Sequence, residues 1–152
     1  MQINSFTDYS LRVLMYAAVH GDRLCTVDEI ARAFDISRHH LVKVVNGLQH
    51  LGYLETQRGR TGGFRLSCVP ERTRLGDVVR RTEGTLAVVE CFDPPTNTCP
   101  LTRACGLQRA LKEAVDAFFG ALDRYTLADL VAEPRWVARF VAVTPPGGRA
   151  HA

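Results

Sequence analysis

The sequence predicts a mainly α-helical fold with one small β-hairpin, arranged as a winged helix-turn-helix domain followed by a long C-terminal helix. Three observations predict it. Apolar residues recur at helical spacing in successive segments between Thr7 and Leu51, each with its own start or stop signal. The period then drops to that of a strand on either side of the glycine-rich turn Arg58-Gly59-Arg60-Thr61-Gly62-Gly63. Further along, one apolar stripe of helical period runs from about Leu101 or Cys105 to Tyr125.

The first helix is expected over Thr7 to His20, with Leu11, Leu14, Met15, Ala18 and Val19 on its apolar face and Thr7 or Asp8 near its start. Gly21-Asp22 ends it. Thr26-Val27-Asp28-Glu29 has the Thr-x-x-Glu spacing of a capping box, which opens a short helix with Val27, Ile30, Ala31 and Phe34 inward. A tight break follows at Asp35-Ile36. Ser37 caps a third helix that turns Leu41, Val44, Val45 and Leu48 to the core and stops at Gly52. Leu54–Gln57 and Phe64–Leu66 then read as two short strands joined by a turn whose glycines permit positive φ. That hairpin is the wing. After Pro70 a helix is expected around Leu75 to Thr82, closed by Gly84. The long helix carries Leu107, Leu111, Ala114, Val115, Phe118 and Leu122 in one stripe, and a short final helix starts at Thr126, capped through Asp129. The ending TPPGGRAHA, from Thr144, reads as a loose tail.

Composition narrows the function. With 152 residues, 46% hydrophobic, 23% charged and 8% aromatic, this is an ordinary globular composition. A chain of that length buries about 70% of its unfolded surface without needing disulfides. A disordered chain, a coiled-coil rod and a disulfide-dense scaffold are excluded. The polar start MQINSFTDYS lacks the features of a signal peptide, and Leu14 to Val19 is too short an apolar run to span a bilayer, so a cytoplasmic protein with no membrane partner is expected.

The overall net charge of +3 is small, but it is unevenly placed. Between Ile36 and Arg65 the basic residues Arg38, Lys43, Arg58, Arg60 and Arg65 face only Glu55, a local +4, with His39, His40 and His50 beside them. In a helix-turn-helix the second helix enters the major groove by its N-terminal residues. Here those are Ser37, Arg38, His39, His40 and Lys43, with Asn46 a turn later. Arg and Lys reach guanine or phosphate, Asn reads adenine, and Ser37 with the helix-terminal N–H groups suits a phosphate. Arg58 and Arg60 on the wing suit the negative potential of a narrow minor groove. The plain alternative is a solvated charged face with no ligand. His39 and His40, adjacent on a helix, point about 100° apart and are no metal pair.

The cysteines are also unevenly placed. Cys25 and Cys68 stand alone and read as packing residues, whereas Cys91, Cys99 and Cys105 share one loop, ECFDPPTNTCPLTRAC. An odd total of five argues for metal or redox chemistry rather than a disulfide framework. Grouped thiolates favour soft or borderline metals, with an iron–sulfur cluster or zinc leading. Zinc is the weaker choice, because the close Cys pairs are missing and no His lies between Phe64 and Arg149. A redox disulfide and three idle thiols remain as alternatives.

The motif Phe6-Thr7-Asp8-Tyr9-Ser10-Leu11-Arg12, the wing Arg58-Gly59-Arg60-Thr61-Gly62-Gly63-Phe64, the cysteine loop and Tyr125-Thr126-Leu127-Ala128-Asp129-Leu130-Val131 together resemble the NsrR-like nitric-oxide-sensing repressors. The wider winged-helix family also includes the cluster-biogenesis regulator IscR. The resemblance runs from Met1 to about Val131. It implies a homodimer formed by crossing of the long C-terminal helices, and an iron–sulfur cluster held by Cys91, Cys99 and Cys105. It also implies a fourth ligand from the partner subunit at the position of Asp8, for which the alternative is a first-turn carboxylate favoured by the helix dipole. Gln108 stands where the IscR branch has a His ligand, which points toward [4Fe–4S] rather than [2Fe–2S].

The expected organisation is a DNA-binding domain over 1–70, a connecting helix and cysteine loop over 71–106, a dimerisation helix and short C-terminal helix over 107–143, and a flexible tail over 144–152. The expected function is a transcriptional repressor on a double-stranded operator, with nitric oxide as the signal and no enzymatic activity. An iron–sulfur or thiol-redox regulator of IscR type, answering oxidative stress or cluster supply, is the alternative. A small cysteine redox enzyme is a third reading, but the loop has no Cys-x-x-Cys pair and no nearby His base.

Overall fold

Helix α1 (Ser5–His20) occupies the centre of the fold, with other elements packed on several of its sides. A computed structural model describes residues 2–84, 87–101, 105–133, 135, 137 and 138; the tail expected over 144–152 lies outside them. The helix begins at Ser5 because Asn4 is the cap: its Oδ1 accepts the Thr7 N–H at 2.7 Å. Its buried face is Thr7, Ser10, Val13, Leu14, Tyr16 and Ala17. That corrects the expected stripe, of which only Leu14 is fully buried while Leu11, Met15, Ala18 and Val19 are half-buried at the edge of the core. A helix covered on several sides buries more than one stripe, so its apolar period alone misplaces the centre of the buried face.

Helices α2 (Val27–Phe34) and α3 (Arg38–His50) form the helix-turn-helix. The expected capping box is present, with Glu29 N–H on Thr26 Oγ1 at 3.2 Å and Thr26 N–H on Glu29 Oε2 at 3.0 Å. The break falls at Asp35, whose φ of 53° is left-handed, a conformation its short polar side chain tolerates. Leu41, Val44, Val45 and Leu48 of α3 are buried as the pattern requires.

Strands β1 (Leu54–Gln57) and β2 (Gly63–Leu66) pair antiparallel, with Leu54 opposite Leu66 at the base and Gln57 opposite Gly63 toward the tip. Of the three turn glycines only Gly59 takes a positive φ, 118°. Gly63 is needed for a different reason. Cys25 and Phe64 exchange backbone hydrogen bonds at 2.7 and 2.8 Å, and a Cβ on Gly63 would lie 2.4 Å from the Cys25 carbonyl oxygen. Cys25 is fully buried in this core, and Cys68 packs against it half-buried.

A single 3-10 turn (Pro70–Arg72) leads to α4 (Leu75–Glu83), which buries Leu75, Val78 and Val79 and ends at Gly84 with φ 73°. A second such turn (Glu90–Phe92) precedes α5 (Gly106–Leu122), and α6 (Leu127–Val131) follows with its Thr126–Asp129 capping box. Helix α6 returns to α1 and the Pro70–Arg72 turn. Helix α5 behaves differently, for none of its residues is buried. Its contact with the body runs through α4, where Arg80 forks onto Asp123 at 2.8 and 2.6 Å beneath the Phe119 ring. No helix among the described residues is long and apolar enough to cross a membrane.

Candidate nucleic-acid interface and metal centre

The N-terminus of α3 is presented to solvent because its apolar side is consumed by the core. Ser37, Arg38, His39, His40, Lys43 and Asn46 are all exposed. Ser37 is the cap, its Oγ accepting the His40 N–H at 3.3 Å, so the hydroxyl also holds the first turn in place. Arg38 is not idle: its Nε donates to Asp28 Oδ1 of α2 at 2.9 Å. Both side chains stay largely exposed, so the pair is weak and the guanidinium keeps free donors. The His40 ring lies 6.2 Å from both Tyr9 and His39, which ties the start of the reading helix loosely to α1.

The wing is joined to the same helix. Thr56 Oγ1 donates to Gln49 Oε1 at 3.0 Å, and Arg65 pairs with Glu55 across the strands. Glu55, the one acid in the basic segment, is thereby neutralised by a residue at the middle of the hairpin. Arg58 and Arg60 remain exposed at the tip. The arrangement gives two cationic projections, one on α3 and one on the hairpin packed against it, as positioning on a duplex needs.

All three loop cysteines are half-buried, and none is in a disulfide. Cys91 lies in the second 3-10 turn, Cys99 has its N–H on Asn97 Oδ1 at 3.0 Å, and Cys105 is the N-cap residue of α5. Gln108 Nε2 reaches the Cys91 carbonyl at 3.4 Å, so the two ends of the loop meet at the first turn of α5. A helix N-terminus favours negative charge such as a thiolate carries. Among the described residues no three His, Cys, Asp or Glu side chains converge on one point. The donor set nonetheless suits iron–sulfur chemistry: three soft thiolates in one loop, none committed to a disulfide.

Asp8 lies in the first turn of α1, with Arg12 one turn on as its partner. Sequence reasoning missed Arg12, Asp28 and Gln49. The i to i+4 spacing of Asp8 and Arg12 was the available signal for the first; Asp28 and Gln49 meet their partners only through the packing of α2, α3 and the hairpin.

The HTH-type transcriptional regulator NsrR of Bacillus subtilis is 48% identical over 86% of this chain and 90% of its own length. The NsrR of Geobacillus kaustophilus is 49% identical over the same shares. Among solved structures, CymR, the global cysteine regulator of B. subtilis, superposes with a TM-score of 0.65 at 28% identity, covering 87% of this chain and 97% of that one. The Rrf2 description, iron-dependent transcriptional regulator, matches residues 3–133, which take in the helix-turn-helix, the wing, the cysteine loop and α5 alike. The chain therefore belongs to the Rrf2 family, a family of transcriptional regulators and not of enzymes.

Proposed function

We propose that this protein is an intracellular, homodimeric DNA-binding repressor that responds to nitric oxide through an iron–sulfur cluster, [4Fe–4S] rather than [2Fe–2S]. The observation that carries this reading is a loop of three half-buried cysteines on a chain whose recognition helix and wing tip face solvent. The likeness to relatives named NsrR supports nitric oxide as the signal. Gln108, held by the Cys91 carbonyl where a His ligand would be needed, favours the four-iron cluster.

A second copy of the chain is supported by α5. Leu107 is 65% exposed, and Leu111, Val115, Phe118 and Leu122 continue its apolar stripe without one fully buried residue. An unpartnered apolar stripe of this length gains most by packing on another.

In this reading Ser37, Arg38, His39, His40, Lys43 and Asn46 engage the major groove, and Arg58 and Arg60 the minor groove. Cys91, Cys99 and Cys105 hold the cluster, with Asp8 of α1 reaching across from the partner subunit. When bound, the cluster would supply iron open to nitric oxide. Asp8 is the weak link, since a carboxylate is a harder donor than thiolate. Off the cluster, its carboxylate would rest on Arg12 of its own helix, the pair this structure shows. Helix α1 packs directly on α3, so loss of that tether frees the reading helix to shift. A coupling of about 1–3 kcal/mol is enough to change operator affinity severalfold to a hundredfold.

Native mass spectrometry of anaerobically purified protein tests this reading. A dimer carrying a [4Fe–4S] mass on each subunit is expected; a [2Fe–2S] mass transfers the chain to the IscR-like alternative, and a single zinc overturns the cluster. Equal operator affinity of apo- and holo-protein at matched salt overturns the sensing step.

A further inference from the structure

Away from the reading helix, two concavities adjoin at the corner where the Pro70–Arg72 turn, α4 and the end of α5 meet. One, about 390 Å³, is lined by Arg72, Arg74, Arg80 and Arg81 over Tyr53. The other, about 570 Å³, is lined by Arg72, Arg74 and Arg124 with Glu71 and Asp123. Both hollows are open to solvent, and Arg72 and Arg74 belong to both.

The carboxylates present do not neutralise this cluster. Arg80 alone takes both acids on its side, Asp123 through two hydrogen bonds and Asp77 at 3.3 Å. Arg81 gives one N–H to the Leu51 carbonyl at 2.8 Å and lies 4.9 Å over the Tyr53 ring, which orients the guanidinium and leaves other donors open. Arg74 reaches only the Asp123 carbonyl, at 3.4 Å. Among the described residues the guanidinium groups of Arg72 and Arg124 have no hydrogen bond or ion pair, and Glu71 is the one lining carboxylate no arginine holds. Guanidinium groups converging on one hollow repel each other until an anion enters, and their planar forks match the oxygens of a phosphate.

The position separates this cleft from the operator surface. It touches the reading domain at Tyr53 and Leu51, beyond the C-terminal end of α3, whereas the groove-reading residues lie at the other end. Along a helix of thirteen residues that is about 20 Å. The wing tip is likewise at the far end of the hairpin from Leu54. No described residue of the cysteine loop lines either hollow.

We propose that this double cleft is a binding site for a phosphate-bearing small molecule, seated at the joint between the reading domain and α5. By bridging arginines of α4 and the α5–α6 corner, the ligand would stiffen the joint between those elements.

Calorimetric titration of the full-length protein with inorganic pyrophosphate, at ionic strength held constant with chloride, tests it. Saturable binding is expected, weakened at least tenfold in the double variant Arg72→Gln/Arg124→Gln and unchanged in Arg58→Gln/Arg60→Gln. Both altered pairs are exposed, and an unchanged thermal melt confirms that each variant is folded. Non-saturable heats, or equal affinity in the Arg72/Arg124 variant, overturn the site. Loss confined to the wing variant places the anion on the operator surface and also overturns it. A shallower salt dependence of operator binding in the Arg72/Arg124 variant, with no pyrophosphate binding by the parent protein, assigns these arginines to the DNA backbone instead.

Discussion

The Asp8 carboxylate receives both forks of the Arg12 guanidinium, Nε to Oδ1 at 3.1 Å and Nη2 to Oδ2 at 2.9 Å. Arg12 is also steadied over the Phe34 ring at 5.8 Å. The two side chains remain 41% and 44% exposed, so the pair contributes only about 0.3–0.5 kcal/mol and Asp8 is easily exchanged to another partner. Asp8→Ala is therefore expected to leave urea-unfolding stability within about 0.5 kcal/mol of the parent. It should nonetheless speed cluster loss or alter the nitric-oxide titration followed by absorbance. Unaltered cluster retention and titration would return Asp8 to the role of a first-turn helix carboxylate.

Arg58 and Arg60 stand at the wing tip without an acid beside them in sequence. Replacing both by Gln should weaken operator binding and flatten its salt dependence by about 0.9 in the log–log slope for each phosphate no longer neutralised. The measurement is a gel-shift series across salt concentrations. A slope equal to the parent's would remove the wing from the interface.

Burial pushes the Cys25 thiol up to about 11, with Arg23 only partly offsetting it. The folded chain then keeps a proton that the unfolded chain releases in the ordinary thiol range. Cys25 therefore has no pH effect on stability below that range, and stability is lost as pH rises through it toward about 11. Cys25→Ala should show a flatter decline over that alkaline window than the parent. Alkylation of folded apo-protein should label Cys91, Cys99 and Cys105 while sparing Cys25, read by peptide mass mapping.

Gly63→Ala tests the seam between the wing and the start of α2. The new methyl would meet the Cys25 carbonyl oxygen at 2.4 Å and its carbon at 3.2 Å, backbone atoms that cannot swing aside. A loss of about 1–3 kcal/mol is expected in chemical denaturation. Neutral behaviour would show that the Cys25–Phe64 bridge yields at little cost.

Much of the winged helix was legible because its signals are local. Thr26 with Glu29, Ser37 before α3, and Thr126 with Asp129 each satisfy orphan helix N–H groups within three residues, so chain order alone places them. The inward face of α3 was equally readable, since a helix covered on one side shows its stripe cleanly. The buried face of α1 was not. Thr7 and Ser10 are fully buried there because α3, α4, α6 and β2 surround the helix, a circumstance no single-helix period encodes. The glycines of the wing illustrate a similar limit: the composition marks a turn, but the reason for Gly63 lies far upstream in the chain, at the carbonyl of Cys25.

Residue order suffices to set the succession of helices and hairpin, the basic segment across α3 and the wing, and the grouping of three cysteines against two, because these depend on spacing and on groups a few residues apart. Which partners those groups meet is a matter of tertiary packing. The fold placed Arg38 on Asp28, joined Gln108 to the Cys91 carbonyl, left α5 with no buried residue, and gathered Arg72, Arg74, Arg81 and Arg124 around one corner. The physical reason is the same in each case: these contacts cross between elements, and their geometry is set by how the helices pack, which charge and periodicity along a chain do not specify.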